Sequence, residues 1–339
     1  MVRWTFAALS LLAAPAASQS VAPSVAPWQE AVISVREFEP STRLFVKAGQ
    51  WQIVAKGKVE RGELDYWKLP KVAKATYQLL CAPQTTTGCI RFVRLTGVKQ
   101  RPIRLAVRAW DTGGIYSVMV RSDNVQALFD AALEMGWWAE SQPVRFTFGT
   151  SDLRNVVLSG PDGVNVAVYE RITPAFAAFP VGRMSQAFNS MRMVRDKPAS
   201  RGFYEEQLGF SVLFDSGYEP SDPTPSNFSI PLNYTPTVKR DAAALQPLPG
   251  ETGRVEVMQL TGFTGLDMAE YAHMPNLGII SVRYPVTGLA AYRAQIVARG
   301  VGIEYEAKAA RLGGIGVVNL IGVRDSDGNI TEFYELKKD

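Results

Sequence analysis

The 339-residue sequence predicts an α+β protein built from one unit read four times: an alternating strand, an amphipathic helix that stops at glycine, further strands and a closing strand. Two matches carry that expectation. The stretch from Gly114 to Gly136 aligns without a gap with the stretch from Gly278 to Gly300, each an alternating strand running into a helix. The run CIRFVRLTG from Cys89 parallels RVEVMQLTG from Arg254. Recurrence at such intervals marks supersecondary modules that bury a face against one another.

Taken in order, Glu30 to Arg36 alternates as the first strand, and Pro40 and Ser41 open a helix ending at Gly49. In the second unit Val125, Leu128, Phe129, Ala132 and Leu133 fall at i, i+3, i+4, i+7 and i+8, which makes one apolar helix face. Asp123 is placed to cap its start and Gly136 its end. Asn189 to Val194 opens the third unit, whose helix ends at Gly209, and Gly278 opens the fourth. The polar, turn-forming run PSDPTPS from Pro220 reads as a surface loop of the third unit, and the less regular span 218–252 around it is alternatively a lid.

The run VRDKPASRGFYEEQLGFSV from Val194 resembles the opening of a module of the vicinal oxygen chelate superfamily, which includes glyoxalases, bleomycin-resistance proteins and extradiol dioxygenases. DSDGNITEFYE from Asp325 resembles the closing hairpin of such a module. The resemblance implies four βαβββ modules paired into two domains, each with a curved sheet enclosing a cup. Consecutive pairing places the domains at 28–172 and 185–339, an N-terminal one of structural role and a C-terminal one carrying the site. If the family's insertions are a guide, the loop after Pro220 could overlie the cup.

A chain of this size with 47% hydrophobic residues buries two ordinary cores. Arg3, the apolar run Trp4 to Ala14 and small residues through Ser18 have the layout of a secretory leader at 1–18, cleaved after Ala16 or Ser18. The run is shorter than the roughly 20 residues of a spanning helix, so the expectation is a periplasmic or secreted protein without stable membrane insertion. In an oxidising compartment Cys81 and Cys89, which flank a turn-rich stretch between two strand-like runs, form a disulfide across a hairpin; a buried unpaired thiol pair is the alternative. The net charge of +4 is dispersed among acids, with no basic run interleaved with aromatics, so no nucleic-acid partner is expected. The lone His273, just before the fourth unit's strand, cannot build a serine triad or a His-rich zinc site.

The superfamily's metal ligands come from the first and last strands of paired modules. Carried over by position, the resemblance gives Asn189, Glu256, Gly278 and Glu332 in the C-terminal domain, and Glu30, Arg91, Gly114 and Ala167 in the N-terminal one. Glu30 and Arg91 read as an ion pair filling the first cup. In the second, Glu256 and Glu332 are the candidate catalytic acid and base, and with Asn189 they are the only candidate ligands for a hard cation such as Mg2+ or Mn2+. The imidazoles of an extradiol dioxygenase are lacking. Alternation then turns Met191, Met193, Met258, Ile280, Val282 and Tyr334 inward, as the lining of a pocket for a small, partly apolar organic molecule. The expected function is a lyase or isomerase-like enzyme; the alternative is a non-catalytic binding or sequestration protein.

Overall fold

The computed structural model describes residues 22–104 and 108–337, so the expected leader lies outside the described residues. After a short strand β1 (Ser24–Val25), the first module comprises β2 (Glu30–Val35), α1 (Phe38–Arg43) continued by a π-helical turn to Ala48, β3 (Gln52–Lys58), α2 (Arg61–Tyr66), β4 (Lys74–Cys81) and β5 (Cys89–Thr96). The second has β6 (Ile115–Arg121), α3 (Val125–Glu134), β7 (Val144–Phe148), β8 (Ser151–Ser159) and β9 (Asn165–Thr173). The third has β10 (Asn189–Met193), α4 (Lys197–Gly202) with a π-helical turn to Gln207, β11 (Ser211–Tyr218), β12 (Lys239–Gln246) and β13 (Arg254–Thr261). The fourth has β14 (Gly278–Thr287), α5 (Leu289–Ala298), β15 (Ile303–Leu312), β16 (Gly316–Arg324) and β17 (Ile330–Leu336).

The modules are βαβββ units, but they do not pair with their sequence neighbours. One sheet runs β15, β16, β17, β14, β2, β5, β4, β3 and joins modules one and four; the other runs β11, β12, β13, β10, β6, β9, β8, β7 and joins modules two and three. The expected division into an N-terminal pair and a C-terminal pair is therefore corrected: in chain order modules two and three, which form the inner sheet, lie between modules one and four, which form the outer one. At the centre of each sheet two module-opening strands meet antiparallel, β2 with β14 and β6 with β10, and each also pairs in parallel with its own module's last strand.

Alternation along the strands divides the apolar side chains between two faces. One face of each sheet, with the helices, forms the shared core between the sheets, where Phe45, Trp51, Phe92, Val118, Leu128, Trp137, Val282, Tyr284, Ile296 and Phe333 are buried together. The α3 residues of that core are Val125, Leu128, Phe129 and Ala132, as the spacing predicts, but Leu133, expected on the same face, is 45% exposed because it falls at the edge of the stripe. Its cap is Asn124 rather than Asp123, the Asn124 side chain accepting from the Ala127 N–H at 2.9 Å. The Asp123 N–H is directed instead to the Gly182 carbonyl.

Where the sheets meet they touch backbone to backbone. Gly88 has φ +63°, its carbonyl accepts from the Ala187 N–H, and a Cβ there would lie 2.0 Å from the Ala187 oxygen, so no side chain fits. The opposite faces of the sheets are the two cups, each with its own apolar cluster. Cys81 and Cys89 are joined in a disulfide between β4 and β5 on the cup side of the outer sheet.

Candidate functional site

The outer cup, formed by modules one and four, is filled by an ion network. Arg91 holds Glu30 with both arms of its guanidinium, Nε to Oε1 at 2.7 Å and Nη2 to Oε2 at 2.9 Å. Arg283 then ties three carboxylates together: Nη1 donates to Glu30 Oε1 at 3.0 Å, Nη2 lies 2.8 Å from Glu63 Oε1, and Nε donates to Glu332 Oε2. The Glu63 contact is close but off the hydrogen-bond direction. All five side chains are at most 1% exposed.

Helix α2 supplies the plug. Glu63, Leu64, Tyr66 and Trp67 are buried against the cup, and the Trp67 indole N–H donates to Glu332 Oε1 at 3.4 Å. The guanidinium of Arg91 lies over the Tyr77 ring and that of Arg283 over Trp67. Burial pushes the Glu30 carboxyl up, but Arg91 and Arg283 together outweigh it and hold Glu30 below the usual carboxylate range. For Glu63 burial wins over Arg283, and its carboxyl is raised.

The inner cup, formed by modules two and three, is built from the same strand positions with different chemistry. Glu256 on β13 accepts one hydrogen bond in this network, from Asn189 Nδ2 on β10 at 2.9 Å. Asn189 is oriented for this by its Oδ1, which accepts from the Ser190 N–H. Around the pair lie Met119, Met191, Met193 and Met258, with Tyr116 and Phe188. Burial pushes the Glu256 carboxyl up to about 7, against the opposing hydrogen bond from Asn189 and the charge of Arg254. The residue nevertheless keeps partial access to solvent, as do Tyr169, Arg171 and Arg254 on the same rim.

The segment 219–238 between β11 and β12 lies over this cup rather than looping away from it. Phe228 and Ile230 are buried in the cup cluster, and Asn227 Nδ2 donates to Asn155 Oδ1 at 2.6 Å. Two surface depressions, one beside Lys47, Gln50 and Arg183 and one beside Arg293 and Glu306, both lie outside the cups.

The two expected catalytic acids are thus separated. Glu256 stands in the inner cup and Glu332 in the outer one, where Arg283 neutralises it. Asn189, Met191, Met193 and Met258 accompany Glu256. Ile280 and Tyr334 belong to the outer cup, and Val282 points into the core between the sheets. The physical reason for the last is a β-bulge: the register of β14 against β2 slips between Ile279 and Ser281, so Ile280 and Arg283 both face the cup while Val282 turns away.

Strict alternation from Gly278 misses this change of phase and with it Arg283, whose lone charge in an apolar strand was the available signal. The cation set of Glu256, Glu332 and Asn189 is not assembled. The outer carboxylates are engaged by guanidinium groups, and Asn189 with Glu256 leaves too few donors for the superfamily's metal, so the residues present do not fit that group. Among the described residues no group of three or more His, Cys, Asp and Glu is placed to hold a metal ion.

This arrangement of two half-barrel sheets made of four βαβββ modules is similar to the solved structure of glyoxalase I from Zea mays. That structure matches with a TM-score of 0.60 at 16% identity over 92% of this chain and 93% of that one. A Bacillus subtilis subsp. subtilis str. 168 protein provisionally assigned as a dioxygenase matches with a TM-score of 0.56 at 10% identity, over 94% of this chain and 87% of that one. The fold is that of the vicinal oxygen chelate proteins. No family profile matches the sequence, and no curated protein does. At these identities the likeness is one of architecture, and within the vicinal oxygen chelate fold it is the side chains of each cup that must carry the chemistry.

Proposed function

We propose that this is an exported glyoxalase-like protein whose inner cup takes a small, partly apolar organic molecule, on which Glu256 carries out acid/base chemistry of the lyase or isomerase kind. The fold supports a small-molecule role for the cup. The observation that carries the reading is the setting of Glu256: a half-buried carboxyl with Asn189 as its hydrogen-bond partner, methionines around it and a pKa pushed up to about 7. A carboxyl so poised exists in both protonation states at neutral pH, the condition for efficient proton transfer. The charge pattern supports the same choice, because Glu332, the other expected acid, is held by Arg283. Export is supported by the leader-like N-terminus and by the Cys81–Cys89 disulfide.

In an isomerase-type step the Glu256 carboxylate takes a proton from a carbon next to a carbonyl, the C–H electron pair moves into the carbonyl to give an enolate, and the carboxyl returns the proton to the neighbouring atom. Asn189 orients the carboxylate, and Tyr169 stands nearby with its hydroxyl proton retained, since burial and the Glu256 charge raise its pKa. Solvent deuterium uptake by a panel of enolisable ketones and aldehydes tests this. The wild-type protein is expected to catalyse exchange on at least one, with a rate that follows an ionisation near pH 7, and Glu256→Gln to lose about 100-fold or more. Equal exchange by both proteins would overturn the catalytic reading. Shifts of the Met191 and Met258 methyl resonances on ligand addition without exchange would favour the second reading, a binding protein, which the close filling of the cup by Phe228 and Ile230 supports.

A further inference from the structure

The inner cup has a charged rim that the reading above leaves unused. Arg121 ends β6, Arg171 lies two residues beyond Tyr169 on β9, and Arg254 lies two residues before Glu256 on β13. Arg121 and Tyr169 are direct partners across β6 and β9, so alternation puts all three arginines on the cup face beside Glu256. Arg121 is 6% exposed, its guanidinium held between the rings of Phe176 at 4.1 Å and Phe188 at 4.3 Å. Arg171 lies over the other reach of Phe176, at 5.3 Å. Glu251 bridges two of them from a loop between β12 and β13, its Oε2 lying 3.3 Å from Arg121 Nη2 and 3.2 Å from Arg254 Nη2.

Three guanidiniums face two carboxylates, Glu251 and Glu256, which leaves an excess of positive charge, and Arg121 carries its share where little water can screen it. Among the described residues the Nε groups of Arg121 and Arg171 are buried and have no hydrogen-bond acceptor. Unused donors on buried cations are unfavourable unless something accepts from them. Burial first, and then the charge of Arg171, bring Arg121 down to about 10, which reports the same crowding.

We infer that this rim is the subsite for a carboxylate carried by the cup's ligand, whose apolar body extends over Phe188 toward Met191 and Glu256. The inference rests on the inner cup being the ligand site, and it names the substrate class as small organic acids. Glu251 shows which anion the geometry accepts, since a carboxylate already lies between Arg121 and Arg254; it is also the group an incoming carboxylate would replace, being itself partly exposed on a loop. Guanidinium and carboxylate make matched, charge-assisted hydrogen bonds, and aromatic rings on both sides of Arg121 fix its plane.

The test is a calorimetric titration of the full chain with 4-phenylbutyrate, its neutral amide and inorganic phosphate. The acid is expected to bind at least about tenfold more tightly than the amide, the preference to shrink to within about twofold in Arg121→Met, and to grow several-fold in Glu251→Gln. Should Arg121→Met fail to fold, the partly exposed Arg171→Gln, expected to lower the preference, and Glu251→Gln carry the same comparison. Equal affinity for acid and amide, tighter binding of phosphate than of the acid, or no binding of any of the three at millimolar concentration would overturn the inference. Equal affinity with Glu256-dependent exchange intact removes the acid subsite and leaves the proposed function standing. A retained acid preference with exchange unaffected by Glu256→Gln does the reverse.

Discussion

The two cups present the same four strand positions and fill them with opposite chemistry. In the outer cup Glu30, Arg283 and Glu332 stand abreast on β2, β14 and β17, with Arg91 on β5. In the inner cup the positions abreast are Asn189, Met119 and Ala167, with Glu256 in the place of Arg91. Four charges answer one another in the first, and one carboxyl is left among an amide, a methionine and an alanine in the second. A buried carboxylate stays ionised where two guanidiniums hydrogen-bond to it, as at Glu30, and becomes a weaker acid where no guanidinium does, as at Glu256. The contrast explains why Glu30 is depressed and Glu256 is raised, although both are carboxyls on central strands of the same fold. It also separates the cups: the outer one is closed by its own charges and by α2, and the carboxyl without a guanidinium partner is left in the inner one.

The largest expected effect comes from breaking the outer network at its hub. Arg283→Met leaves Glu332 and Glu63 without their cation in an apolar cup, and removal of one partner from a buried ionic cluster costs about 3–5 kcal/mol. Urea unfolding at pH 7 should show that loss. The deficit should narrow at pH 5, because the Glu63 carboxyl, already raised by burial, takes up a proton more readily there. A loss below about 1 kcal/mol would mean that the network is dispensable and that the outer cup is not held shut by charge.

Glu256→Gln should act in the opposite direction. The folded-state pKa of Glu256 lies near 7, above its ordinary value of 4.5, so the group favours the folded state below about pH 4.5 and that contribution is lost as pH rises through 7. At pH 8 the wild-type protein carries an ionised carboxylate in an apolar cup, and the amide variant should be roughly 2–3 kcal/mol more stable, toward the lower figure because the carboxyl keeps some solvent access. At pH 4 the two should unfold alike. Thermal unfolding across this range reads the difference, and a pH-independent gap would place the carboxyl's ionisation outside it.

The modules were legible in the sequence because each repeats a local rule: alternation, an apolar helix stripe, a terminal glycine. Which module pairs with which was not legible. Four similar opening strands offer the same edge pattern, and the choice between them is made by contacts far apart in the chain, such as Gly88 against Ala187. Position matching between modules found Glu30, Arg91, Asn189 and Glu256, all of which face a cup. It failed on β14, where the bulge before Ser281 reverses the phase, so that Arg283 rather than Val282 completes the outer site. Glu63 and Trp67 were also missed, because they come from a six-residue helix and the residue that caps its end, in a connection with no periodic signature. The arginine rim was hidden in a net charge of only +4, since three dispersed residues become a cluster only when β13, β10, β6 and β9 are laid in one sheet.

The smallest effect tests how the inner cup is covered. Asn227 is the polar tie that holds the 219–238 segment to the cup wall, through its 2.6 Å hydrogen bond to Asn155, while Asn155 spends its own Nδ2 on the Val168 carbonyl at 2.7 Å. Asn227→Ala leaves the Asn155 oxygen without that donor, a loss of about 1–2 kcal/mol. Phe228 and Ile230 stay apolar and keep their reason to be buried, so the segment should remain docked but open more often. Amide hydrogen exchange is therefore expected to accelerate across 222–237 and to stay unchanged in α2, which covers the outer cup through Glu63 and Trp67 and not through this tie. If the inner cup takes the ligand as proposed, binding of 4-phenylbutyrate should become faster in both directions, because the segment packs over the cup. Uniform acceleration throughout the chain would show instead that the segment opens only with global unfolding, making the inner cup as closed as the outer one.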